Sequence, residues 1–216
     1  MKPVITAFKN SPDQGQGHAR DMRLRWALEE VGQSYDVRLV TFAEMKKPAY
    51  RALHPFGQIP VYQEGDLVLF ESGAILLHIA ENAKGLLPSD KSARARAITW
   101  MFSALNTVEP PIVNLEMALF LERDKPWFQE RVLLLEDAVR TRLKELAARL
   151  RPNQWLDESF SAADILMVTV LRRIEDHPLL SEQPLLINYL KKAQLRPAYQ
   201  RAYQAQYEVY KASHPT

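Results

Sequence analysis

Two short segments carry the residue types that could do chemistry. The first is His54-Pro55-Phe56-Gly57-Gln58-Ile59-Pro60-Val61-Tyr62, and the second, close behind it, is Phe70-Glu71-Ser72-Gly73-Ala74-Ile75. A proline beside a strand cannot donate to the ladder. Ile59, next to Pro60, is therefore free to offer its own backbone groups to an extended ligand as though that ligand were another strand. Glu71-Ser72 falls where a helix should start, so Ser72 can cap it and the free N–H groups of the first turn can receive a carboxylate. Taken singly, Pro60 reads as a turn residue and Glu71-Ser72 as an ordinary helix start. At this spacing the pair points instead to a site for an extended, charged small molecule.

A second serine–acid pair lies in Ser159-Phe160-Ser161-Ala162-Ala163-Asp164-Ile165. Serine followed three residues later by an acid is a capping box, and Phe160 can pack on Ile165 or its neighbour as a staple, so Ser161 and Asp164 are assigned to folding. The chain has no cysteine, which excludes disulfides, thiolate metal sites and a Cys-x-x-Cys redox pair by composition alone. No metal is expected. The 28 basic and 26 acidic residues are scattered together to a net charge of +2, giving no broad basic field for nucleic acid. No window approaches the roughly 18 consecutive apolar residues of a membrane span, and the first residues lack a basic segment followed by an apolar one. A cytoplasmic protein with no membrane partner is the expectation.

The elements that must position these residues fall into two kinds. All seven glycines lie in the first 85 residues, which suits a strand-rich part with tight turns followed by a helical part. The expected domains are 1–85 and 90–216. In the first, Val4 to Phe8 reads as a buried strand and Arg20 to Val31 as a helix stopped by Gly32. Tyr35, Val37 and Leu39 alternate as a strand, giving a βαβ unit. Phe42 to Leu53 is polar and helical, Pro60 to Tyr62 and Leu67 to Phe70 flank the hairpin turn Gln63-Glu64-Gly65-Asp66, and Ser72 to Ala83 has a helical apolar stripe. The order is βαβαββα. From Pro88 onward helices are expected over 92–122, 127–150, 162–176, 184–193 and 197–210, with Pro110-Pro111 interrupting or kinking the first.

The two site segments together resemble the glutathione transferase family, whose pattern is asparagine-proline-x-glycine-x-aliphatic-proline before a hairpin and then glutamate-serine opening a helix. The capping box at Ser161 is found in the same family, and the element order extends the resemblance over essentially the whole chain. It implies an α/β thioredoxin-like domain that binds glutathione, followed by an all-α bundle that forms the second-substrate pocket. By resemblance, Pro60 is cis, Ser72 and the local backbone hold the γ-glutamyl carboxylate, Glu71 pairs with the ammonium, and Gln58 reaches the glycyl end. The implied activity is a transferase that lowers the thiol pKa of glutathione and directs the thiolate onto an electrophile or a peroxide. Members that form mixed disulfides through a protein thiol need a cysteine that this chain lacks.

The group beside the sulfur is open at this point. Counting forward from the first strand gives Ser11, and counting back from Gly32 gives His18 to Arg20. The difference amounts to an inserted loop, Pro12 to His18, whose glycines allow close approach to a ligand. Ser11 is favoured because the sheet fixes it. Arg20 is second, since a guanidinium at a helix start can stabilise a thiolate by charge. His18 and Asn10 follow, and backbone N–H groups alone are the remaining choice. Met101, Phe102, Leu105 and Asn106 are the candidates for the second-substrate pocket. The resemblance also implies a homodimer. A non-catalytic module that binds glutathione or an apolar ligand is the alternative function.

Overall fold

In a computed structural model of the chain, residues 2–150 and 155–214 are described. They form two compact units, Met1–Leu87 with Leu195–Thr216, and Pro88–Gln194.

The first unit is built on a four-stranded sheet in the order β2-β1-β3-β4. Strand β1 (Val4–Phe8) pairs in parallel with β2 (Asp36–Val40) and antiparallel with β3 (Val61–Glu64), which pairs antiparallel with β4 (Leu67–Phe70). Helix α1 (Asp21–Glu30) is the crossover between the parallel pair. It ends in a Schellman motif: Gly32 sits at φ 67°, Gln33 N–H reaches Leu28 O at 2.9 Å, and Gly32 N–H reaches Glu29 O at 3.4 Å. The polar stretch after β2 divides into α2 (Phe42–Met45), opened by a Thr41/Glu44 capping box, and α3 (Pro48–Arg51). Pro48 divides it, being unable to continue a helix but well suited to begin one. The hairpin turn narrows to Gly65 and Asp66, with Gly65 at φ 59°. Helix α4 (Ser72–Asn82) closes the βαβαββα order.

The last helix, α11 (Pro197–Ser213), belongs with this first unit, so the helical domain expected over 90–216 gives up its final element. The physical reason lies on α1. Trp26 meets Tyr199 edge-on at 5.0 Å, and Arg196 clasps Glu30 through two bonds of 2.6 and 2.7 Å. Arg201 Nε donates to Glu29 at 2.7 Å. Trp26 is fully buried, a site where aromatic area contributes heavily.

The second unit is all helical. The long run expected over 92–122 is α5 (Lys91–Ser103), a π-helical turn (Ala104–Val108) and α6 (Glu109–Leu121). Pro110 and Pro111 fall in the first turn of α6, where their missing N–H groups break the ladder behind them. Helix α7 (Phe128–Arg149) packs on α6, and α8 (Ala162–Leu171), buried at every residue, forms the centre. A 3-10 turn (Arg172–Ile174), the short α9 (Pro178–Ser181), for which the periodicity gave no signal, and α10 (Pro184–Gln194) complete it. Among the described residues no helix is long and apolar enough to cross a membrane.

Candidate functional site

The segment ahead of β3 is held by a relay of backbone and side-chain bonds. Val61 N–H donates to Thr6 Oγ1 at 2.8 Å, Thr6 Oγ1 lies 3.1 Å from Tyr50 Oη, and the Tyr50 hydroxyl donates to Gln58 O at 2.8 Å. Because Tyr50 spends its one proton on Gln58, Thr6 must be the donor between the two hydroxyls. Burial pushes the Tyr50 phenol up, so that proton stays in place. The relay fixes both ends of Gln58-Ile59-Pro60-Val61, and the Ile59–Pro60 bond is cis. The ladder with β4 starts at Val61, so Ile59 stands ahead of it while its side chain packs with Val40, Met45 and Tyr50. The Gln58 side chain is exposed. Gly57 makes the turn possible: it sits at φ 62°, and a Cβ there would lie 2.8 Å from Met45 O.

The start of α4 differs from the expectation in one respect. Ser72 is its first helical residue and not its cap. Glu71 occupies the cap position at φ 69°, ψ 111°, and no side chain caps the helix. The Ser72 hydroxyl is engaged elsewhere: it is buried and accepts from Arg23 Nη1 at 3.0 Å. The first-turn N–H groups are thus left without a side-chain acceptor, beside a buried guanidinium, while the Glu71 side chain is exposed. Such an end receives a carboxylate by hydrogen bonding and by the helix dipole. His54 lies close to Glu71, buried with its ring 5.1 Å from Phe70. Burial lowers its pKa, with the Glu71 charge opposing the shift.

The inserted loop is organised by Asp13. Its carboxylate accepts from Gly15 N at 3.2 Å, His18 N at 2.6 Å and Ala19 N at 3.0 Å. Gly15 does make a close approach, but to α11: a Cβ there would lie 2.9 Å from Tyr210 Cβ. His18 and Arg20 are half-buried, with Arg20 at the N-cap of α1, and Asn10 is exposed. Ser11 is buried, and its Oγ has no hydrogen-bond partner among the described residues. It lines a small cavity with Asp21, Arg25 and Gln206, and none of Gln58, Ile59, Pro60, Glu71 or Ser72 is in that lining. The structure thus groups the ligand-binding candidates on two neighbouring segments of the sheet unit and puts Ser11 among a different set of residues. Arg23, Asp13 and Gln206 escaped the sequence reading. A polar residue on the buried face of a helix, as at Arg23 and Gln206, gives no periodic signal, and neither does a loop residue such as Asp13.

In the helical unit Met101 is buried, Phe102 is 59% exposed, Leu105 is half-buried and Asn106 is exposed. Leu105 and Asn106 lie in the π-helical turn, a feature often found where a helix serves a site. The box at α8 closes as expected: Ser161 N–H donates to Asp164 Oδ2 at 2.9 Å, and Leu156 N–H and Tyr189 Oη donate to Oδ1 at 3.1 and 2.8 Å. Phe160 packs edge-on against Trp155 at 5.0 Å.

The chain is similar to known proteins in sequence and in fold. The family description "Glutathione S-transferase, N-terminal domain" matches residues 14–81. Glutathione S-transferase F9 of Arabidopsis thaliana is 36% identical over 48% of this chain and 51% of its own. Glutathione S-transferase 4 of Zea mays is 31% identical over 67% of this chain and 68% of its own. A glutathione transferase from Pseudomonas putida, solved with glutathione disulfide bound, shares the fold at TM-score 0.82, with 21% identity over 94% of this chain and 91% of that one. The match spans about half the length of the Arabidopsis relative. The chain belongs to the glutathione S-transferase family.

Proposed function

We propose that this protein is a glutathione transferase: it binds glutathione on the first unit and delivers the thiolate to an electrophilic or peroxide substrate. The observation that carries the reading is the start of α4, a helix end with no side-chain cap, whose Ser72 is held by Arg23 at 3.0 Å and whose Glu71 projects to solvent. The γ-glutamyl carboxylate docks on that end and its ammonium pairs with Glu71. The cysteinyl backbone pairs with Ile59 beside Pro60, and Gln58 reaches the glycyl end. With the Ser11 hydroxyl turned inward, Arg20 and the backbone at the α1 start become the favoured partners of the sulfur, stabilising the thiolate by charge. No protein thiol is required, because glutathione supplies the nucleophile. Attack forms the new bond to sulfur as the leaving group departs, or as the added electrons are protonated from solvent. Phe102, Leu105 and Asn106, with Met101 behind them, are the proposed second-substrate residues. A homodimer and a cytoplasmic location are part of the same proposal.

The inward Ser11 hydroxyl also favours a second reading, a glutathione-binding module without turnover. Ultraviolet difference spectra of bound glutathione from pH 5 to 9 separate the two. A thiolate band that grows in below the solution pKa of glutathione, and that Arg20→Ala moves back toward it, supports the transferase. Binding with no such band leaves the module.

A further inference from the structure

Ser11 Oγ, Arg25 Nη2 and Gln206 Oε1 are buried side-chain atoms without a hydrogen-bond partner among the described residues, and all three residues line one cavity of about 10 Å³. Their convergence is notable because they come from three places in the chain: the loop after β1, helix α1 and helix α11. Leaving each unpaired would forfeit its hydration with nothing in return. The neighbouring bonds fix which ends face the cavity. Arg25 Nε donates to Asp21 at 2.8 Å and its guanidinium also hydrogen-bonds Tyr35, which leaves Nη2 as the end without a partner among the described residues. The Gln206 amide nitrogen donates to Ala19 O at 3.5 Å and to the Asp21 carboxylate, so its oxygen must point the other way. Turning that amide over would set its oxygen against two acceptors.

The occupant must therefore accept from a guanidinium, donate to an amide oxygen, and exchange a hydrogen bond with a hydroxyl. An anion fails against the Gln206 oxygen and the Asp21 carboxylate, and a cation fails against Arg25. Water satisfies all three, and a cavity of this size accommodates about one molecule. We propose that Ser11, Arg25 and Gln206 form a built site for a single internal water, which fastens α11 to the loop after β1. Other contacts run along the same seam. Ser213 Oγ donates to Lys9 O at 2.6 Å, and Gly15 lies against Tyr210. Gln206 then acts as a positioning residue for the loop that leads to Arg20, although it touches no substrate.

The first test is a crystal structure of the unmodified protein at a resolution that shows ordered solvent. One peak within hydrogen-bonding reach of Ser11 Oγ, Arg25 Nη2 and Gln206 Oε1 is the expected result. A site without density, or Ser11 Oγ bonded directly to Gln206, overturns the proposal. The second test compares Gln206→Met with the unmodified protein by water-deuteron relaxation dispersion and by amide exchange. The variant should lose one long-lived water and exchange the amides of Gly15, Gly17 and His18 roughly tenfold faster, while those of α8 stay protected. An undiminished water count, or unchanged exchange in the loop, overturns it. If Gln206→Met does not fold, the crystallographic test stands alone.

Discussion

Two helix starts in this chain combine a serine with an acid, and they do opposite things with the pair. At α8 the acid is Asp164, three residues inside the helix, buried and accepting from Ser161 N–H, Leu156 N–H and Tyr189 Oη. At α4 the acid is Glu71, one residue outside, and it accepts nothing from the first turn. Its backbone is held at φ 69°, which costs a non-glycine residue about 1–2 kcal/mol. One helix start consumes its own hydrogen-bonding capacity to fix a fold. The other leaves its first-turn N–H groups without a side-chain acceptor among the described residues, where the proposed ligand would dock, and carries strain at Glu71. The lesson is that a Ser/acid pair is read by offset: a three-residue spacing closes on itself, and adjacent residues cannot.

The comparison makes its strongest prediction at the closed end. Asp164→Ala leaves two buried N–H groups and the Tyr189 hydroxyl without their acceptor, and should lower stability by about 3–4 kcal/mol in denaturant titrations. A loss below about 1 kcal/mol would show that α8 does not depend on its box. At the open end the effects move from stability to binding. Glu71→Gln keeps the shape and removes the charge, so calorimetry should show glutathione affinity falling by roughly 10- to 100-fold with the unfolding midpoint unmoved above the pH range in which His54 titrates. Affinity that survives the loss of charge would mean the ammonium binds elsewhere. Glu71→Gly is sharper still, because it removes the strain along with the charge. It should raise stability by about 1 kcal/mol while weakening glutathione binding, and a stability loss would show that the backbone at 71 is not strained.

How much of this was legible in the sequence depended on whether the signal was local. The hairpin at Gly65-Asp66, the stop at Gly32 and the break at Pro110 are written in residues whose backbone options are few. The backbone of the candidate site segments was legible for the same reason, since Gly57, Pro60 and the Glu71-Ser72 step each constrain the chain where they stand, although the cap position fell one residue earlier than expected. The partners were not legible. Arg23 finds Ser72 and Gln206 finds Asp21 only across folded distances, and α1, which buries Asp21, Arg23 and Arg25 together, breaks the rule that charged residues mark the outer face. The assignment of α11 was lost in the same way. Its apolar stripe suits any helix surface, and it is contacts such as those to Asp21, Trp26, Glu29 and Glu30 that make α1 the partner.

The smallest predicted effect tests whether the open site also tolerates a buried base. His54 stands where the family pattern has asparagine. Burial between the rings near Phe70 lowers its pKa below the ordinary histidine value, and the nearby Glu71 charge only partly opposes this. The sign follows directly. The unfolded chain binds the proton more tightly than the folded one, so stability is complete above the unfolded histidine pKa of about 6.5 and falls as the pH drops through it toward the lower folded value. One such group contributes a slope of at most about 1.4 kcal/mol per pH unit. His54→Asn, the residue of the family pattern, should flatten the stability profile between pH 7 and 5 relative to the unmodified protein. Glu71→Gln should steepen it, because the opposing charge is gone. Parallel profiles for all three proteins would mean that His54 does not titrate as a buried group and that the Glu71 carboxylate serves the ligand alone.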